Sequence, residues 1–169
     1  ERGHAQAQFE LGKMYFDEYN LCPGYSIPDI NGDGGGIDKK QGLKWFVTAA
    51  KQGHLDAMYR AGDAFLRTHS KNDFKEAEKW FLKAARSGEK HSAAKLADMY
   101  LHGIGVEPNY EKSMYWAKQA IKLGYPDANY YLGKMYYEGK GVKQNYDLAF
   151  KYLNKATEGY YEMRWAEDI

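Results

Sequence analysis

The sequence predicts an all-α fold, an α/α superhelical solenoid of four helix-turn-helix repeats. Three observations predict it. Four segments align with one another: AQFELGKMY (7–15), AMYRAGDAF (57–65), SAAKLADMY (92–100) and ANYYLGKMY (128–136). Each is followed by a second recurring segment: GLKWFVTAAKQG (42–53), AEKWFLKAARSG (77–88), SMYWAKQAIKLG (113–124) and AFKYLNKATEG (149–159). The aromatic anchors of these second segments, Trp45, Trp80, Trp116 and Tyr152, lie 35, 36 and 36 residues apart, a period that marks a two-helix unit.

Each first segment (helix A) carries small or apolar residues at i, i+4, i+5 and i+8, as in Ala128, Leu132, Gly133 and Tyr136, which places them on one helical face. Each second segment (helix B) does the same, as in Ala149, Tyr152 and Ala156. Gly53, Gly88 and Gly124 close helix B, where a left-handed residue terminates the last turn; the fourth copy departs, with Gly159 one position early. Gly12, Gly62 and Gly133 lie inside helix A, where glycine costs about 1 kcal/mol relative to Ala. Their recurrence predicts a neighbouring helix too close for a side chain. Ala97 fills that position in the third copy, and Ala49–Ala50 and Ala84–Ala85 supply the same close packing from helix B.

One such hairpin cannot bury its apolar face alone. Stacked neighbours can, which gives a right-handed superhelix with a concave side. Residues 1–169 read as one solenoid, with repeats at about 5–53, 54–88, 89–124 and 125–160, an insert loop at 17–39 and a C-terminal cap at 160–169. RGHAQA (2–7) aligns with QGHLDA (52–57), so residues 1–4 read as the tail of an earlier helix B.

These residues resemble the Sel1-like repeat family, relatives of tetratricopeptide repeats. The motif is A-x3-LG-x2-Y, then G-x-G-V, then A-x2-W-x3-AA-x2-G, and GIGV (103–106) and GKGV (139–142) match its linker. The second copy carries THSKND (68–73) instead, and the first carries the long insert. The resemblance covers roughly residues 1–159 and implies a solenoid that binds other proteins. It names no partner.

Composition narrows the function further. With 24 basic and 23 acidic residues the net charge is +1, and no run of Lys and Arg offers a local field for nucleic acid or anionic membrane. No stretch approaches the roughly 20 apolar residues of a membrane span. Cys22 is the only cysteine, so packing alone holds the fold. The chain begins at Glu1, no signal is readable, and bacterial cytoplasm and periplasm stay open as compartments.

The insert poses one chemical question. Asp29, Asn31, Asp33 and Gly34 satisfy the first half of a calcium loop. Lys40 then stands where a bidentate Glu is needed, Asp38 comes two positions early, and Pro23 and Pro28 exclude an entering helix. The segment therefore reads as a flexible or partner-contacting loop, with calcium the secondary reading and no other cofactor expected. GIGV and GKGV lack the third glycine of a dinucleotide fingerprint, since Pro108 and Gln144 occupy it. Their glycines serve a tight turn. No two histidines have the i, i+4 spacing of a helical zinc site, and no Ser, Cys or Lys sits in a nucleophile setting, so no catalytic residue is assigned.

Tyr15, Tyr100 and Tyr136 occupy core positions of the repeat, whereas Tyr59, Tyr130 and Tyr137 fall on the helix A face that lines the concavity. The same reading places Phe9, Lys13, Phe16, Asp63, Leu66, Arg67, Asp98, Leu101, His102, Lys134 and Glu138 there. Aromatics beside charges of both signs suit a protein interface. The expected function is a non-enzymatic adaptor that binds a peptide or protein on this surface. The family resemblance adds two alternatives. One is an immunity or inhibitor protein that neutralises a secreted bacterial toxin, with loop 17–39 as a plug. The other, more remote, is an enzyme of the cysteine-rich, β-lactam-binding type, whose paired cysteines this chain lacks.

Overall fold

The computed structural model describes residues 2–16, 39–67 and 71–166, with side chains described for 4–16, 39–67 and 73–157. Residues 17–38, which carry Cys22 and the calcium candidates Asp29, Asn31 and Asp33, lie outside the described residues, as do 68–70 and 167–169. Among the described residues every regular element is helical: α1 (Arg2–Phe16), α2 (Lys39–Lys51), α3 (Leu55–Leu66), α4 (Lys71–Arg86), α5 (Lys90–His102), α6 (Tyr110–Lys122), α7 (Asn129–Glu138) and α8 (Tyr146–Ala166), with a short 3-10 turn at Pro126–Ala128 before α7. The fold is an all-α solenoid of helical repeats. It divides into two compact units, residues 1–80 and 81–169, with the boundary inside α4.

In the first unit α1 packs on α2 and α2 on α3. A Cβ added to Gly12 would lie 2.5 and 2.6 Å from two ring carbons of Phe46, a fully buried side chain. Gly42 is also constrained from the opposite helix, though less severely, with Phe16 Cβ at 3.0 Å and the Gly12 carbonyl at 3.1 Å. The glycines thus bring the α1 and α2 backbones together around the Phe46 ring. Phe9 and Phe16 close on that ring from either side, at centroid separations of 5.9 and 5.6 Å. The deepest residue of helix B is therefore the one after the tryptophan anchor. Trp45 is only half-buried, while Phe46 and its counterpart Phe81 are fully buried.

The second unit repeats the device. α5 packs on α6, and α7 on α8. A Cβ on Gly133 would meet Leu153, again one past the anchor, at 2.7 Å. In the intervening hairpin Ala97 and Ala117 occupy these two positions, both fully buried, and the Ser113 hydroxyl donates across the helix pair to the Ala97 carbonyl at 2.8 Å. Trp116 is buried as expected, but Tyr152 is only half-buried and stacks on Tyr136 at 5.6 Å. Tyr15 and Tyr136 are likewise half-buried rather than interior. A phenol at a rim keeps its hydroxyl hydrated while its ring packs, which removes the need for a buried partner.

The linkers are built alike. Gly103 and Gly139 end α5 and α7 in the left-handed conformation, both at φ 69°. Ile104 and Lys140 return their amides to the Met99 and Met135 carbonyls, each at 3.0 Å. Asn109 and Asn145 donate their amides to the Tyr100 and Tyr136 carbonyls at 2.8 and 3.0 Å. Their side-chain oxygens accept from Lys112 N and Leu148 N at 2.9 Å, which caps α6 and α8. Gly53, Gly88 and Gly124 close α2, α4 and α6 at φ 92°, 95° and 84°. Gly159 does not close α8, which runs through it to Ala166.

One further departure concerns α1. Leu96 and Leu132 are buried at 0% and 2%, and Met99 and Met135 at 1% and 0%, whereas their counterparts Leu11 and Met14 are 37% and 47% exposed. In the first unit α3 packs on α2, and its corresponding residues Ala57, Ala61 and Ala64 are buried. No described helix covers that face of α1 in the same unit.

Candidate functional site

The candidate surface residues of the second unit that stay open lie on α5 and α7. Asp98 and His102 are one turn apart on α5; Tyr130, Lys134, Tyr137 and Glu138 share a face of α7 by their i, i+4, i+7, i+8 spacing. The Lys134 ammonium lies 2.8 Å from His102 Nε2, and His102 Nδ1 lies 2.8 Å from Asp98 Oδ1. An ammonium offers only donors, so Nε2 must accept and the imidazole proton must sit on Nδ1, donated to Asp98. The result is an ordered Lys134–His102–Asp98 chain joining two neighbouring A helices.

Aromatic rings flank this chain. Lys134 Nζ is 6.0 Å from the centroid of Tyr130, which is 47% exposed, and Tyr130 meets Tyr131 edge to face. Tyr137, 58% exposed, leans edge-on against Tyr146. Burial pushes the Tyr131 phenol far above the ordinary tyrosine range, and the Asp98 charge adds to the effect. Glu138 accepts from Lys140 at 2.8 Å, and that contact outweighs the opposing effect of burial and, with the nearby charges of Lys140, Lys134 and His102, holds its carboxyl below the usual range. The surface is thus a pair of exposed phenols beside paired charges of both signs.

In the first unit several expected surface residues belong to the interior instead. Phe9 and Phe16 are 8% exposed because Phe46 lies between them, and Leu101 in the second unit is 2% exposed. All three leave the candidate surface. The face defined by spacing spans both packed and open edges of helix A. Tyr59 and Leu66 are half-buried. Lys13 pairs with Glu10 at 2.8 Å and lies 5.5 Å from the Phe9 ring centroid. Arg67 is held by Asp63 at 3.1 Å and lies over the Phe16 ring at 5.6 Å.

His4 and His54 do structural tasks. His54 Nδ1 accepts from Ala57 N at 3.2 Å and so caps α3, its other nitrogen reaches Gln6 at 2.8 Å, and its ring stacks on Phe9. His4 meets Gln8 at 2.7 Å, and Gln8 accepts from Gln52 at 2.6 Å. Glu89 takes the same repeat position as His54 and caps α5, accepting from His91 N at 2.9 Å and Ser92 N at 2.5 Å. These caps were missed in the sequence, although Asn109 and Asn145 directly before α6 and α8 carry a readable signal. Among the described residues no group of three or more His, Cys, Asp or Glu side chains is arranged to hold a metal, and no helix is long and apolar enough to cross a membrane.

Closely packed two-helix units with glycine-turn linkers define a helical repeat protein. The Sel1 repeat family matches residues 5–54, 55–89, 90–125 and 126–161, and the chain belongs to that family. Sel1 repeat proteins generally mediate protein–protein interaction, and such scaffolds are typically non-enzymatic. Two solved structures are similar. One is a protective antigen of uropathogenic Escherichia coli strains displaying an SLR fold, with a TM-score of 0.71 and 27% identity over 93% of this chain. The other is a Sel1 repeat protein from Oxalobacter formigenes, with a TM-score of 0.68 and 27% identity over 94% of this chain. The chain spans 31% and 42% of those two proteins. Comparison with curated proteins returned no match.

Proposed function

We propose that the chain is a non-enzymatic adaptor that recognises a peptide or protein partner through the open face of α5 and α7. The observation that carries this reading is the ordered Lys134–His102–Asp98 chain beside the exposed rings of Tyr130 and Tyr137. Exposed phenols supply rigid apolar area with a hydrogen-bonding tip, at low ordering cost. Charges already held in place set the register of a partner without further loss of side-chain freedom.

The test is affinity capture from native lysate with the wild-type chain, a Tyr130→Ala/Tyr137→Ala variant and a Lys134→Ala variant, each checked for unchanged helicity. The adaptor reading expects one or more partners to be lost from both variants. Identical partner sets at identical yield from all three chains would sink it.

A further inference from the structure

The Lys134–His102–Asp98 chain holds in only one protonation state. His102 Nδ1 donates to Asp98 Oδ1 at 2.8 Å, and Nε2 accepts from the Lys134 ammonium at 2.8 Å. Only a neutral imidazole has a ring nitrogen that accepts. A second proton would sit on Nε2, in the line of the Lys134 contact, and two donors with two positive charges would meet where one hydrogen bond stood. Asp98 keeps its bond from Nδ1 in both states and gains a full ion pair with the imidazolium. The flexible Lys134 is therefore the group that must leave. The other charges around the ring do not replace the lost acceptor for it. From α7, Glu138 binds Lys140 at 2.8 Å and lies near enough to feel the charges of Lys134 and His102. The buried Tyr131 phenol, also on α7, feels the Asp98 charge. From α6, which also packs on α5, Lys112 lies over the Tyr100 ring at 5.0 Å. In the first unit Asp63 and Arg67 hold the repeat positions of Asp98 and His102 and pair at 3.1 Å, but a guanidinium stays charged and cannot switch.

From this geometry we infer that His102 is a pH-operated latch between α5 and α7: neutral, it fixes Lys134 in the adaptor face; protonated, it releases Lys134 and weakens partner capture. The regulatory half rests on the adaptor reading, whereas the latch itself does not. Imidazoles are the side chains that ordinarily change charge between about pH 5 and 8. The His102 side chain is 31% exposed, so solvent protons reach the ring. The latch joins residues 32 positions apart on two neighbouring helices, so one proton changes the surface of both.

The experiment is nuclear magnetic resonance of the full chain, labelled with 15N and 13C, titrated from about pH 8 to about pH 5. Long-range ring correlations read the His102 tautomer, and the Lys134 Cε and Nζ signals read its contact. At the alkaline end His102 should carry its proton on Nδ1. The Lys134 signals should move with the same midpoint as the His102 ring, and His102→Gln should abolish that movement. An Nε2-protonated ring at the alkaline end, or Lys134 signals that ignore the ring's midpoint, overturns the latch whatever is captured. Affinity capture supplies the second arm. Proteins that the Tyr130→Ala/Tyr137→Ala variant loses at about pH 7.5 should fall about threefold in yield on the wild-type chain by about pH 5.5, the scale of one exposed charge contact. The ratio of the two yields should approach one in His102→Gln, whatever the absolute yield of that variant. Equal ratios in both chains overturn the regulation. If no captured protein depends on Tyr130 and Tyr137 while the resonance transition is intact, the adaptor reading and its regulation fall together and the latch stands.

Discussion

Gly12 offers a sharp test of how the hairpins close, because two effects of opposite sign meet there. Replacing it with Ala removes the helix penalty of glycine, worth about 1 kcal/mol in favour of the variant. The new Cβ, however, would lie 2.5 Å from the Phe46 ring, which is fully buried and wedged between Phe9 and Phe16. Inserting a methyl group into such a site costs about 1–3 kcal/mol. The clash should win, for a net loss of about 1 kcal/mol, or about 2–4 °C in Tm for a chain of this size. In a Phe46→Leu background the ring is gone, and the same change should stabilise by up to about 1 kcal/mol. Urea unfolding followed by far-ultraviolet circular dichroism of the four chains reads the reversal. If Gly12→Ala stabilises the wild-type chain, or acts identically in both backgrounds, the ring is not what excludes a side chain from position 12.

Four further outcomes are expected. Asn109→Ala and Asn145→Ala should each cost about 1 kcal/mol by uncapping α6 and α8, measured as shifts of the urea midpoint, whereas the corresponding Asp variants should lose much less. Gly103→Ala should destabilise by about 1–2 kcal/mol, because its φ of 69° strains an L residue and its Cβ would meet Pro108 at 2.9 Å; thermal melting checks it. Burial raises the pKa of Glu89, but hydrogen bonds from Ser92 and His91 outweigh it and hold the folded-state value below 4.5. The stabilisation from Glu89 is therefore complete above that pH and lost as pH falls through the folded value, so Glu89→Gln should flatten the acid limb of a stability–pH curve. The Tyr131 phenol titrates above its ordinary value of 10.0, so its contribution is intact below that pH and disappears as alkali ionises the unfolded chain; Tyr131→Phe should blunt that loss in alkaline melts.

The repeat architecture was legible because its causes are periodic. Small residues at i, i+4, i+5 and i+8 and a glycine after each helix B report backbone approach and chain reversal, and both are fixed by local geometry. The packing partner of the helix A glycine was not legible. Trp45 draws attention as an anchor, yet Phe46 and Leu153 are the side chains that fill the space, and only the rotation of helix B selects between adjacent residues. The same limit explains Phe9, Phe16 and Leu101. A helical face is wide enough to hold both packed and open positions, and hydropathy alone does not divide them. Leu11 and Met14 show the converse, since they carry core chemistry in a place where no described helix covers them within their unit. The Lys134–His102–Asp98 chain lay beyond sequence reasoning because it joins residues 32 positions apart through one imidazole tautomer.

The twin linkers of the second unit carry a consequence for how the chain reaches its native state. Gly103 through Asn109, and Gly139 through Asn145, return every one of their capping contacts to the two helices they connect. Closing either loop requires only a short search between nearby segments, so little chain entropy stands in the way of the first productive encounter. Such local closure favours faster folding than the distant pairings of sheet-rich folds. Tyr110 packs close to Gly141 of the following linker and so ties one hairpin to the next.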